Sequence, residues 1–384
     1  MIAEGTMTHK PSRIILCVFA LLFISQLPFF STQAQQAMTT ETFTPENNPE
    51  LLIILSPQYK NDTEIHTAIQ AYITAVKNDL GWKSTIIAIQ ENENDYQQID
   101  TLIETSNQNH TVKACLMVGE DLSTPLGGDT DYLEQPSTLP WAILGGTTAY
   151  EYADQGIISK PTTIQICISL LYPPQQLPYE QKKASLLFAF HKFTTQRHPT
   201  SQNTIRVFES SDLNTYSKTI YQKLSDCSIL QYTEDATTTE ITSSLTTPYT
   251  AFFVHGHSIP SGTDVNTQKN TGWFPAENLN NIQTPLFGAD GCYAAGWWSN
   301  QKDNNKLDGS IDTTWYGAKI FTSTSIQVMA LGLLSQNGFS TPVSFIQNAM
   351  PELLAGKTLA EAMIGDSTIG DTIIIGDPTF HFTI

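Results

Sequence analysis

The chain has 384 residues, enough for one large domain or two ordinary ones after a leader is set aside. Acids outnumber bases 37 to 19, for a formal net charge of −18, and no Lys/Arg cluster occurs; this argues against a nucleic-acid binder or an anionic-membrane binder. Hydrophobic residues make up 40% of the chain and aromatics 10%, which fills a core and excludes disorder over most of the length.

Met7 to Arg13 is short and basic, Ile14 to Phe30 is apolar, and Ser31 to Ala37 holds small residues. That order reads as a secretory signal cut after Ala34 or Ala37. Residues 1–37 are therefore assigned to a signal peptide and 38–49 to a mobile start. No later run reaches the roughly 18 apolar residues of a membrane span. The expected location is secreted, periplasmic or at the cell surface, with no integral span after signal cleavage. Cys17 leaves with the leader, and Cys115 and Cys167 lie in apolar strand-like runs, so both are expected as buried thiols.

After the leader, "LLIILSP" (51–57) reads as a buried strand. Residues 62–80 carry Ile65, Ile69, Tyr72, Ile73 and Val76 at helical spacing, with Asp62 or Thr63 as cap. A strand (84–90), a helix (94–108) and a strand (112–120) follow, then an irregular stretch over 121–162. A strand at 162–170 and a helix at 178–197 close a first α/β subdomain, 50–198. A second series occupies 199–384: strands at 204–210, 228–233, 250–258, 284–292 and 317–324, helices at 214–226, 238–245 and 341–350, and a closing strand in "IIIGDPTFHF". The fold class is α/β, two adjoining three-layer units with mainly parallel sheets, because strands alternate with helices throughout.

Metal and nucleotide signatures are absent: no CxxC, HExxH, Walker-type loop or GxGxxG after a strand occurs. No cofactor is expected. "DNNKLDGSID" (303–312) fails the EF-hand spacing and suggests at most weak calcium binding.

Two strand ends stand out. "AFFVHGHS" ends an apolar run in His255, Gly256 and His257, and "PLFGADGCYAAGWW" ends another in Asp290, Gly291 and Cys292. The carboxyl ends of parallel strands are where sites form. On neighbouring strands, an imidazole there takes a thiol proton and the thiolate becomes a nucleophile. The residues alone leave a second reading open, a buried structural Cys beside two surface His.

These strand ends resemble the gingipain-type cysteine peptidases, within the caspase-like group that includes metacaspases and legumains. "ADGCYAAG" matches the group's Asp-x-Cys-x-x-Gly neighbourhood with one residue inserted before the glycine. The tail "AGKTLAEAMIGDSTIGDTIIIGDPTFHFTI", with Gly376-Asp377-Pro378-Thr379, is similar to the close of the gingipain catalytic domain. "LLIILSP", "CLMVGEDLSTP" and "TTIQICISLLYPPQQLPYEQKKASLL" resemble its first half, so the likeness covers about residues 50–384. The resemblance implies a caspase-like C-terminal unit and a secreted cysteine endopeptidase acting on protein or peptide substrates. It implies Cys292 as nucleophile, His257 or His255 as base, and Glu209 orienting the base. Gly256, Ser258 and Gly291 would supply backbone donors to an oxyanion, and Asp290 and Asp212 would border the substrate pocket. The sequence departs from the family at Ser169-Leu170, where Gly-Arg is usual. It departs again at the histidine motif: His257 is followed by Ser258 and His255 is preceded by Val254. The loop after Glu209 is shortened to Ser210-Ser211-Asp212, which argues against a basic-residue specificity of the family type. The lost glycines keep a second possibility in play, a catalytically inactive module with a binding or structural role in the envelope. Neither a long pro-region nor a C-terminal sorting domain is expected.

Overall fold

The computed structural model describes residues 49–90, 96–119, 126–127, 135–136, 138–144, 163–199, 202–213, 221, 224, 229–269, 271–291, 294–295, 312–332, 345–365 and 372–383. The leader, Cys227 and Cys292 lie outside the described residues, as do the helix expected at 214–226 (apart from Tyr221 and Leu224) and all of the acidic segment 303–312 except Asp312.

Ten strands form one sheet. In chain order they are β1 (Leu51–Leu55), β2 (Ser84–Ala88), β3 (Ala114–Val118), β4 (Cys167–Leu171), β5 (Thr204–Glu209), β6 (Ile229–Glu234), β7 (Ala251–His255), β8 (Leu286–Asp290), β9 (Val328–Gly332) and β10 (Thr372–Gly376). Their spatial order is β2-β1-β3-β4-β10-β9-β8-β7-β5-β6. Every junction is parallel except β10 with β9. The two series of strands seen in the sequence are thus the two halves of one sheet, running in opposite directions. β10, the last strand, bonds to both halves, parallel to β4 and antiparallel to β9. β1, β3, β4, β7, β8, β9 and β10 are buried along their whole length, as expected for strands covered on both faces.

The helix α1 (Thr63–Leu80) shows why the local sequence specifies its element. The Asp62 carboxylate accepts the N–H groups of Glu64 and Ile65 at 2.9 and 3.0 Å, satisfying two of the helix's orphan donors. Ile65, Ile69, Tyr72 and Val76 form its buried face, and Gly81 ends it at φ 72. α2 (Tyr96–Ser106) and α3 (Tyr179–Thr195) are further helices of the first half. No helix among the described residues is long and apolar enough to cross a membrane.

Two sequence expectations are corrected here. "GAKIFTST" is not a strand: Tyr316–Phe321 is a buried 3₁₀ helix, and the missing strand is β9, which begins downstream at Val328. A short, wholly buried apolar run carries neither a period of two nor one of 3.6, so its pattern does not choose between helix and strand. The run 250–258 is also not continuous. The strand ends at His255, and Gly256 turns the chain into a small three-stranded sheet of His257–Ile259, Gly262–Asp264 and Trp273–Pro275. A Cβ at Gly256 would stand 2.1 Å from the Asp264 carbonyl oxygen, so only glycine fits at this exit. Cys115 and Cys167 are buried free thiols, as the sequence suggested, and burial pushes the Cys167 thiol up to about 12.

The Gly376-Asp377-Pro378-Thr379 tail ties the halves together. Asp377 is 1% exposed, accepts the Tyr72 hydroxyl at 2.5 Å, and accepts the Thr379 N–H and hydroxyl at 2.8 and 2.7 Å. Arg197 lies 3.4 Å from its second oxygen and donates to the Thr379 hydroxyl at 3.1 Å. Asp377→Ala would leave a buried guanidinium and phenol without this partner. It should lower the unfolding free energy in chemical denaturation by about 3–5 kcal/mol, well beyond the cost of Thr379→Val.

Candidate active site

β5, β7 and β8 are neighbouring parallel strands, and their last residues fall in register: Glu209 opposite His255, and His255 opposite Asp290. In-register residues of parallel strands project to the same side. The pairing therefore sets a carboxylate, an imidazole and a second carboxylate in one row. His255 Nδ1 lies 2.6 Å from Glu209 Oε1, and His255 Nε2 lies 3.6 Å from Asp290 Oδ2. A carboxylate only accepts, so Nδ1 carries its hydrogen toward Glu209 and Nε2 faces Asp290. Glu209 is wholly buried, and His255 and Asp290 are each 7% exposed.

Backbone bonds fix the row. The Ser210 N–H donates to the His255 carbonyl at 2.9 Å, and the Gly256 N–H donates to the Asp290 carbonyl at 3.0 Å. The Gly256 N–H, expected as an oxyanion donor, is thus engaged in holding two strand ends together. Ser258 is buried, and its hydroxyl shares a hydrogen bond of 2.8 Å with Thr263 Oγ1. Gly291 sits at φ 152, where a Cβ would lie 2.1 Å from the Gly256 carbonyl oxygen and 2.2 Å from Ser258 Oγ. Cys292 follows directly in sequence.

The structure sets Glu209 against His255 and leaves His257 elsewhere. His257 is exposed, with Nε2 3.0 Å from Asp212 Oδ2. Asp212 also accepts from Ser210 and from Thr267, the latter at 2.9 Å. Although partial burial opposes its charge, these donors and His257 hold its pKa below the usual carboxylate range. The acid that the sequence offered for a substrate pocket therefore belongs to a surface cluster with His257. Asp290, the other, flanks the buried imidazole.

Sequence reasoning missed Tyr232. Its hydroxyl donates to Glu209 Oε2, so both oxygens of that carboxylate have partners, and Tyr221 lies beside it with ring centroids 5.8 Å apart. Burial and the Glu209 charge push the Tyr232 phenol well up. The available signal was the pairing of "ILQYTE" with "TIRVFE", which puts an aromatic donor two residues before the end of the edge strand. Burial opposes a charged His255, but the carboxylates of Asp290, Glu209 and Asp212 outweigh it and hold its pKa above the ordinary histidine value. The flanking carboxylates therefore favour the charged form of this imidazole.

No protein-family model matches the chain, and no curated protein matches it. Among solved structures, the chain is similar to the Arg-specific cysteine proteinase gingipain R (RgpB), with 12% identity and a TM-score of 0.57 over 88% of this chain and 80% of that one. It is also similar to the complex of Porphyromonas gingivalis RgpB pro- and mature domains, with 12% identity and a TM-score of 0.59 over 86% and 79% of the two chains. At this identity the likeness establishes a shared fold: a mostly parallel α/β sheet with flanking helices, of the caspase-like kind seen in these cysteine proteinases.

Two outcomes are expected. The raised pKa of His255 means that its contribution to stability is fully present below the unfolded histidine value, about 6.5. That contribution is lost as pH rises through the higher folded value. Denaturant titrations at pH 6 and pH 9 should show a fall in unfolding free energy that is smaller in His255→Gln. Gly291→Ala should cost about 2 kcal/mol or more, read as a lowered denaturation midpoint, because both the backbone angle and the Gly256 carbonyl reject a methyl group.

Proposed function

We propose that the chain is an exported cysteine endopeptidase that hydrolyses peptide bonds in protein or peptide substrates, with Cys292 as nucleophile, His255 as base and Glu209 as the residue that positions it. The observation that carries this reading is the in-register row Glu209–His255–Asp290, with Cys292 two residues beyond Asp290 in sequence. Of the two histidines left open by the sequence, His255 is favoured because it alone touches Glu209. The Nδ1–H bond to Glu209 fixes the ring, so Nε2 is the nitrogen that takes the thiol proton. The thiolate attacks the scissile carbonyl carbon. As the C–N bond breaks, His255 returns the proton to the leaving amine, and water then hydrolyses the thioester through the same imidazole. Thiolate and imidazole supply nucleophile, acid and base, so no cofactor enters these steps.

A specific observation favours a second reading, the inactive envelope module: the Asp290 carboxylate stands 3.6 Å from Nε2, the nitrogen a thiol would use. Timed iodoacetamide labelling of the mature protein, followed by peptide mapping, separates the two. Under the peptidase reading, Cys292 is modified far faster than a free thiol, and His255→Ala slows this by about 100-fold or more. His257→Ala leaves the rate nearly unchanged. Ordinary labelling of Cys292 in all three proteins, with no cleavage of a peptide library, would remove the peptidase reading.

A further inference from the structure

At the other end of the sheet, three side chains from distant parts of the chain converge. Asp79 ends α1, His198 follows α3, and His381 follows β10. Asp79 Oδ1 lies 3.3 Å from His198 Nε2 and 3.7 Å from His381 Nε2, and the ligand atoms of all three lie within 4.8 Å of one another. The two rings are nearly perpendicular, at 81°, with centroids 5.2 Å apart. The cluster is remote from His255. It borders the start of β9, where the Asp377 N–H bonds to the Gln327 carbonyl at 3.0 Å, whereas the row of Glu209, His255 and Asp290 lies at the carboxyl ends of the adjoining parallel strands.

We infer that Asp79, His198 and His381 form a binding site for a divalent transition-metal ion of the imidazole-preferring class, zinc first, which clips the C-terminal tail to α1 and to the segment after α3. Three observations support it. The first is spacing. A tetrahedral ion with bonds of about 2.0–2.1 Å needs ligand atoms about 3.3 Å apart, and the two Asp79–His distances are at or just above that value. The second is proton placement. His381 Nδ1 lies 3.4 Å from the Thr379 carbonyl oxygen, which only accepts, so Nδ1 carries hydrogen. In the neutral ring, Nε2 then turns a lone pair toward a carboxylate oxygen, and only a proton or a cation between them makes that arrangement favourable. A backbone carbonyl holding the far N–H is also how metal-bound imidazoles are commonly oriented. The third is access. His198 is about half exposed, and an open cavity of about 340 Å³ is lined by Asp79, Arg197 and His198, giving an ion an entry path and room for water as a fourth ligand.

Arg197 is the opposing charge. It binds Asp79 through Oδ2, by Nη2 at 2.6 Å and Nε at 2.7 Å, and it is shared with the buried Asp377. Its bonds thus leave Oδ1 as the oxygen facing both imidazoles, and Asp377 neutralises part of its charge. Binding displaces any proton held on either Nε2 into solvent. The donor set of two nitrogens and one oxygen disfavours calcium and magnesium, which prefer all-oxygen shells.

The test is titration of the metal-depleted full chain with zinc chloride by calorimetry, repeated in a Cys292→Ala background so that a thiol site cannot contribute. The expected result is one saturable site in both proteins, a melting temperature raised by zinc and not by calcium, and affinity lowered at least about tenfold in His198→Ala and in His381→Ala. Cobalt(II) should give a visible d–d spectrum of a tetrahedral ion that is lost in His198→Ala, a substitution at a half-exposed position that leaves the fold intact by circular dichroism. Absence of saturable binding, or zinc binding unchanged in His198→Ala or abolished by Cys292→Ala, would overturn the assignment.

Discussion

The sheet depends on its last strand. β10 is hydrogen-bonded along both edges, to β4 in one half and to β9 in the other, and without it each half would present an open strand edge. The chain must therefore deliver its final residues to the middle of the structure before the halves can join. The pairing of β10 with β4, Ile374 opposite Ser169, is non-local and entropically demanding. The residues after β10 answer that demand with short-range chemistry. Gly376 turns at φ 117, where a Cβ would meet the Gln327 carbonyl at 2.1 Å. The Asp377 carboxylate then gathers Tyr72 and Arg197 of the first half and Thr379 of the tail, while its N–H donates to the Gln327 carbonyl at the start of β9. A buried carboxylate is tolerable there because the Tyr72 hydroxyl, the Thr379 N–H and hydroxyl and one Arg197 nitrogen are directed at it.

The same reversal of strand direction decides where the candidate site lies. In the second half, β5, β7 and β8 run together and stop together, so their terminal side chains meet at one rim. The register alone would align them; the glycines that follow make the alignment usable. Gly256 and Gly291 let the two exits pack against one another closely enough for the Gly256 N–H to bond to the Asp290 carbonyl. Electrostatics then distinguish the two histidines. His255 is enclosed between carboxylates where screening by water is weak, while His257 pairs with Asp212 at the surface, where such a pair contributes little.

Much of this was legible in the sequence, for identifiable reasons. α1 announced itself by its Asp62 cap and its helical spacing, and the buried strands by short apolar runs closed by turn residues. The choice between His255 and His257 was not legible. Residues two apart in a strand share a face, so either histidine fits a continuous "FFVHGH"; only the close approach of Asp264 to Gly256 shows that the strand stops at the first. β9 was missed because "VMALG" and "GAKIF" are alike in composition and both wholly buried. The convergence of Asp79, His198 and His381 leaves no trace in spacing, since the three lie on segments joined only by the completed sheet.

The buried row is poorly explained as a device for stability. Desolvating a carboxylate and an imidazole is costly, and replacing a buried ion pair by apolar groups of similar volume is often neutral or stabilising. Tyr232 and Glu209 deepen the point: a phenol from the edge strand is directed at the carboxylate oxygen that His255 leaves over, so the acid is fully satisfied only in this one arrangement. An apolar strand end would fill the same space with fewer constraints. What the polar row provides instead is one imidazole held at a fixed tilt, with one nitrogen committed to an acceptor and the other turned toward the strand that leads to Gly291 and Cys292. The physical consequence is orientation, which a packed core of apolar side chains cannot supply.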